Sequence, residues 1–164
     1  MVEYTITAHR MAPSLATASS TRAAAASLPL DTAPEGRTDA FNPAELLLTA
    51  LAACMLKAIE RVPPMLKFSL RDATVRVRGV RQEVPPRLVT VDYQLIVETD
   101  ESDERLDLLH RNVPPYGTVY NTLAGAVKLS GTIRRAGAPT RARTPMPAST
   151  ESPQAVSASI DELC

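Results

Sequence analysis

Apolar and polar residues alternate along two segments in the middle of the chain. Between Leu88 and Glu98, Val89, Val91, Tyr93, Leu95 and Val97 fall on one face; Thr90, Asp92, Gln94 and Glu98 fall on the other, and Ile96 is the exception. Between Thr74 and Arg81, Val75 and Val77 oppose Arg76 and Arg78. A period of two marks a strand with one dry face. Glu83 to Arg87, with Pro85-Pro86, is expected to join the two strands as a hairpin. A third strand is expected near Tyr4 to Arg10. Ala16 to Leu30, rich in Ala, Ser and Thr, is read as further strand with turns, and Asp31 to Ala40, holding Pro34, Gly36 and Asp39, as a loop.

The pattern changes at Asn42. Asn42 is a good N-cap, Pro43 fits the first helical position, and Glu45 stands three residues after the cap, where its carboxylate can reach back. Leu46, Leu47, Leu48, Ala50, Leu51, Ala52, Ala53, Cys54 and Leu56 then cover nearly the whole circumference of three turns. A helix that is apolar all round is expected to be buried all round. Pro63-Pro64 is expected to stop it after Val62, with Lys57, Glu60 and Arg61 as its polar last turn. Further on, Asp103 to Asn112 reads as an amphipathic helix with Leu106, Leu109 and Val113 as its stripe, ended by Pro114-Pro115. His110 falls on that stripe, where partial burial with a backbone partner is expected. Gly117 to Val127 reads as a short helix, with Asn121 and Thr122 as possible caps, and Lys128 to Arg135 as a closing strand. From Ala136 the chain is rich in Pro, Ala and Ser with little to bury, so residues 136–164 are expected to form a flexible tail after a domain of residues 1–135.

Strands, buried helix, hairpin, helix, strand describe an α+β fold with helices against one face of an antiparallel sheet. In a chain of 164 residues, so complete an apolar perimeter is hard to shelter. A homodimer in which each subunit covers the other's helix would supply the cover.

Eighteen Lys and Arg balance eighteen Asp and Glu, which argues against nucleic acid as a partner. The longest apolar run, Leu46 to Leu56, is short of the roughly 20 residues that span a bilayer, so no membrane is expected. Two cysteines, Cys54 and Cys164, form no disulfide framework, and neither histidine, His9 or His110, has metal-ligand spacing to them. The N-terminus has no secretory pattern. A cytoplasmic protein with reduced thiols, no metal and no cofactor is the expectation.

The run FNPAELLLTALAACMLKAIERV, Phe41 to Val62, is followed some sixty residues later by YGTVYNTL, Tyr116 to Leu123. Together with the hairpin between them, these motifs resemble the OsmC/Ohr family over roughly residues 28 to 135. The resemblance implies an intertwined homodimer of α+β subunits with a long central helix at its interface. It also implies a thiol-dependent peroxidase that reduces organic hydroperoxides. In that family a cysteine on the central helix attacks the peroxide, a second cysteine resolves the sulfenic acid, and an Arg and a Glu favour the thiolate. Cys54 occupies the attacking position. The resolving position falls at Gly117, which cannot form a disulfide. The glutamate that follows Asn-Pro in the peroxidase branches is Ala44 here, and Glu45 stands one place later. The arginine column falls near Pro34, with Arg37 a neighbour. Leu51, Tyr116, Gly117 and Tyr120 are the expected pocket lining.

A thiol attacks peroxide only as thiolate. Cys54 lies roughly 18 Å along its helix from the N-terminal dipole, at 1.5 Å per residue. Only a cation from another segment, Arg37 or Arg22, or from a second subunit, could assist it. Glu45 is roughly 13 Å from Cys54 along the helix and points the opposite way, so it could help only across a dimer interface. Each candidate also has a plainer reading: Cys54 as small core filler, Glu45 as cap, Arg37 as loop cation, Tyr116 and Tyr120 as packing. Two functions therefore stand open. One is a single-cysteine peroxidase recycled by an external thiol; the other is a non-catalytic dimer that binds an apolar small molecule. A cysteine hydrolase is disfavoured, because no motif places a histidine as base.

Overall fold

The computed structural model describes residues 4–20 and 26–137. Arg22, Cys164 and the tail from residue 138 lie outside the described residues. The elements run β1 (Ile6–Ala12), β2 (Leu15–Ser20), β3 (Ser27–Asp31), α1 (Pro43–Leu66), β4 (Asp72–Gln82), β5 (Arg87–Glu98), α2 (Asp103–Asn112), a 3-10 turn (Pro114–Tyr116), α3 (Thr118–Ala124) and β6 (Lys128–Arg135). They build two three-stranded sheets, β1-β2-β3 and β4-β5-β6.

The second sheet carries the core. Val91, Tyr93, Leu95 and Val97 of β5 are buried as the alternation requires. They meet Leu51, Met55, Ala58, Ile59 and Val62 of α1 and the Leu106–Leu109–Val113 stripe of α2. Ile96 is buried as well, so both faces of β5 are covered at that point. The sheet is mixed rather than antiparallel throughout. β5 pairs antiparallel with β4, but β6 runs parallel to β5, with Val91 in register with Leu129 and Leu95 with Ile133. The intervening helices carry the chain back to the starting end of β5, and such a crossover delivers a parallel strand. Gly131 lies in register with Tyr93 and leaves the space its ring fills: a Cβ there would stand 2.1 Å from the Tyr93 ring.

Two expectations for α1 need correction. The helix does not stop at Val62; it runs through Pro63 and Pro64 to Leu66. Proline removes a backbone donor, but here the loss falls in the final turn, whose last carbonyls find other partners. Lys67 takes a left-handed conformation, its amide donates to the Pro64 carbonyl, and the Phe68 amide donates to Pro63 at 2.9 Å, a Schellman ending. With the helix longer, no basic residue of its own lies in the last turn. Arg105 of α2 serves instead, donating to the carbonyls of Leu66 at 3.0 Å and Lys67 at 2.7 Å.

Burial of α1 is also one-sided within the chain. Leu51, Met55, Ala58, Ile59 and Val62 face the core, whereas Leu47 is 40% and Leu56 39% exposed, with Ala50 and Ala53 beside them. A single sheet covers a single face. The first sheet does not close the other: β1 is exposed along its whole length, and Ala16 and Asp31 are the buried residues of that sheet. An open apolar groove of about 400 Å³ lies between this sheet and the start of α1, lined by Ile6, Ala8, Ala18, Leu28, Leu30 and Leu46 among others.

Candidate functional site

The loop before α1 is organised by a buried carboxylate. Asp31, 4% exposed, accepts from the amides of Ala33 and Arg37, each at 2.8 Å. Its own amide donates to the Phe41 carbonyl at 2.9 Å, and Leu30 and Phe41 form a parallel bridge. The loop therefore returns to its origin as α1 begins. Asn42 then caps the helix reciprocally with Glu45: the Glu45 amide donates to Asn42 Oδ1, and the Asn42 amide to Glu45 Oε2, both at 3.0 Å. Glu45 also helps line an open cavity of about 260 Å³ with Phe41, Leu48, Thr49, Ala52 and Val77.

Cys54 lies partly buried, as a free thiol, on the border of the packed stripe. The segment from Pro114 to Tyr120 passes over it. A Cβ built on Gly117 would stand 3.0 Å from the Cys54 sulfur and 3.2 Å from both the Pro114 carbonyl oxygen and Tyr120 Cβ. The structure thus brings together Cys54, Gly117 and Tyr120 from the two sequence motifs. Tyr116 sits at the rim, 45% exposed, and Leu51 is part of the packed core.

Arg37 and Glu45 are not joined to the sulfur. Arg37 makes a bidentate pair with Asp39, Nε to Oδ1 at 2.8 Å and Nη2 to Oδ2 at 2.6 Å. The pairing holds the Asp39 carboxyl below the usual carboxylate range. Among the described residues, no hydrogen bond or ion pair links either side chain to Cys54. Asn121 and Thr122 do not cap the start of α3. Asn121 Nδ2 donates back to the Pro115 carbonyl at 2.9 Å, fixing the 3-10 turn beside Gly117, and Thr122 Oγ1 donates to the Thr118 carbonyl.

A polar pair invisible in the sequence lies deeper. His110 finds a side-chain partner rather than the expected backbone one: Tyr93 Oη and His110 Nε2 are 3.0 Å apart. Burial pushes the Tyr93 phenol up to about 12 and the His110 imidazole below its ordinary value. The Tyr120 ring stands edge-on to Tyr93, 6.1 Å between centroids. Tyr93 was legible as a core position and His110 as a stripe position, but their meeting depends on how α2 crosses the sheet.

Two small sheets with a long helix and a thiol beneath a helical crossover define an α+β protein of the OsmC-like architecture. The family described as OsmC-like protein matches residues 36–131, and the chain belongs to that family. Solved structures agree on the fold. An OsmC-like protein from Mycoplasma pneumoniae superposes with a TM-score of 0.74 at 23% identity, over 82% of this chain and 97% of that one. The organic hydroperoxide resistance protein OsmC from Legionella pneumophila, described as a predicted redox protein, gives 0.63 at 20% identity over 81% and 97%. The organic hydroperoxide resistance protein OhrB of Bacillus subtilis gives 0.59 at 17% identity over 81% and 98%. No curated protein matches the sequence significantly. Among the described residues, no helix is long and apolar enough to cross a membrane.

Proposed function

We propose that the protein is a homodimeric thiol-dependent peroxidase that reduces organic hydroperoxides through Cys54 alone. The observation that carries this reading is the placement of the Cys54 sulfur against the bare backbone of Gly117, where the two family motifs meet. Two of its structural relatives are named as organic hydroperoxide resistance proteins. The Cys54 thiolate attacks the terminal peroxide oxygen, the O–O bond breaks, and the alkoxide leaves and is protonated to an alcohol. The sulfur is left as sulfenic acid. With glycine at 117, an external thiol condenses with it to a mixed disulfide and water. A second external thiol then releases the disulfide product and restores Cys54. Exposed Ala50 and Ala53, with Leu47 and Leu56 at the two edges, lie on the side of α1 that a second copy would cover, and an apolar surround favours fatty or aromatic peroxides over hydrogen peroxide. Within this reading Arg37 or Glu45 would act on the sulfur only from the other subunit or after the Asp39 pair opens.

The test is hydroperoxide consumption with cumene hydroperoxide and a dithiol reductant. Wild type should turn over and Cys54→Ser should not. Consumption no faster than that of free cysteine overturns the reading. Light scattering at micromolar concentration should give twice the chain mass; a monomer overturns the dimer.

A second reading draws on the engagement of Arg37 with Asp39 and of Glu45 with Asn42, which leaves neither of these two side chains joined to the thiol among the described residues. The protein is then a non-catalytic dimer holding an apolar small molecule at the uncovered face of α1. Native mass spectrometry of the purified dimer should show a co-purified lipid-like ligand, and an unreactive thiol would accompany it.

A further inference from the structure

The outer face of the second sheet, turned away from α1 and the thiol, carries a group of donors that the proposed chemistry does not use. In register across it stand Arg76, Gln94 and Thr132 in one row, and Arg78, Asp92 and Ser130 in the next. These residues line an open concavity of about 390 Å³. Opposite charges facing each other across antiparallel strands ordinarily pair. Here the two central acceptors are engaged from the β6 side instead. Ser130 Oγ donates to Asp92 Oδ1, and Arg134 Nε donates to Gln94 Oε1 at 3.2 Å. On the β4 side, Arg76 and Arg78 have no hydrogen-bond or ion-pair partner among the described residues. Same-face neighbours on a strand stand roughly 7 Å apart, so two guanidiniums, each a planar fork of N–H donors, overlook one hollow that also holds the single Asp92 carboxylate, whose Oδ1 is taken by Ser130, and the cations outnumber the anion two to one.

We infer that this concavity binds a small polyvalent oxyanion of the phosphate class, clamped between Arg76 and Arg78 with Thr132 as an added donor. Guanidinium matches phosphate oxygens in bidentate fashion, which favours that class over a point-charge halide. The chain's zero net charge and the small extent of the hollow fit a compact ligand rather than an extended polyanion. The site is independent of the thiol chemistry and does not depend on it.

The experiment is an amide-resonance titration of the full chain with pyrophosphate, at ionic strength held constant with sodium chloride. Saturable shifts confined to β4, β5 and β6 are expected. Arg76→Gln and Arg78→Gln should each weaken binding about tenfold, as loss of charged hydrogen bonds does, while Arg61→Gln on the exposed side of α1 leaves it unchanged. The variants' unperturbed spectra show that they fold. Succinate should bind more weakly than pyrophosphate. Shifts that do not saturate, an equal effect of Arg61→Gln, or succinate binding as tightly as pyrophosphate would each overturn the inference.

Discussion

Replacing Gly117 by cysteine is expected to lock the Pro114–Tyr120 segment onto α1 by a disulfide to Cys54. In a disulfide, one Cβ and the far sulfur stand about 3 Å apart, given an S–S bond near 2.04 Å. A Cβ on Gly117 would lie 3.0 Å from the Cys54 sulfur, so the bond needs no approach of the two backbones. Gly117 has φ −92° and ψ 113°, an extended conformation open to any residue. The Pro114 carbonyl oxygen and Tyr120 Cβ, each 3.2 Å from the new atom, must give by a few tenths of an ångström. Cross-linking the two positions closes a loop of roughly 60 residues, worth about 4 kcal/mol on the chain-entropy scale. For a chain of this size that is a rise in melting temperature of roughly 10 °C. The assay is best run in a Cys164→Ser background. Oxidised protein should contain no thiol reactive to Ellman's reagent, reduced protein should contain two, and the melting temperature should fall on reduction. Gly117→Ala separates crowding from bonding: it should cost about 1 kcal/mol by overpacking against the sulfur, with no redox dependence. Two persistent thiols in folded, air-oxidised protein would show that Cys54 does not face residue 117.

Three further outcomes follow from the packing. Asp31→Ala leaves the amides of Ala33 and Arg37 without their acceptor and should lower the unfolding free energy by roughly 3 kcal/mol in urea denaturation; a loss under 1 kcal/mol would mean the loop is held otherwise. Asn42→Ala removes the side-chain half of the reciprocal cap and should cost about 1 kcal/mol in the same measurement. His110 has its folded value pushed below the unfolded one by burial, so the unfolded chain binds more protons. Its share of stability is present above the unfolded value of about 6.5 and is lost as pH falls below it. Denaturation at pH 7 and pH 5 should show this loss in wild type and a smaller one in His110→Gln; equal slopes would place the pH dependence elsewhere.

Much of the fold is legible in short-range pattern. Period-two alternation marks β4 and β5, and the α2 stripe and the bounds of α2 and β6 follow from local sequence, because those elements each lay one continuous face on one core. Local rules mislead where a distant segment intervenes. Pro63-Pro64 reads as a stop because proline loses its donor, yet Arg105, Phe68 and Lys67 satisfy the final turn. The closing strand reads as antiparallel by default, yet the helical crossover returns it parallel. The perimeter of α1 reads as buried, yet one chain supplies a cover for one side only.

The candidate site divides in the same way. Sequence alone determined that a cysteine sits midway along an apolar helix, that a glycine stands at the partner motif, and that Glu45 can close the cap, since motif spacing and cap chemistry are properties of adjacent residues. Only the tertiary structure decided that Gly117 lies against the Cys54 sulfur and that Tyr93 meets His110. Those are contacts between segments remote in sequence. Their geometry depends on where the core places each element, and no local period encodes that.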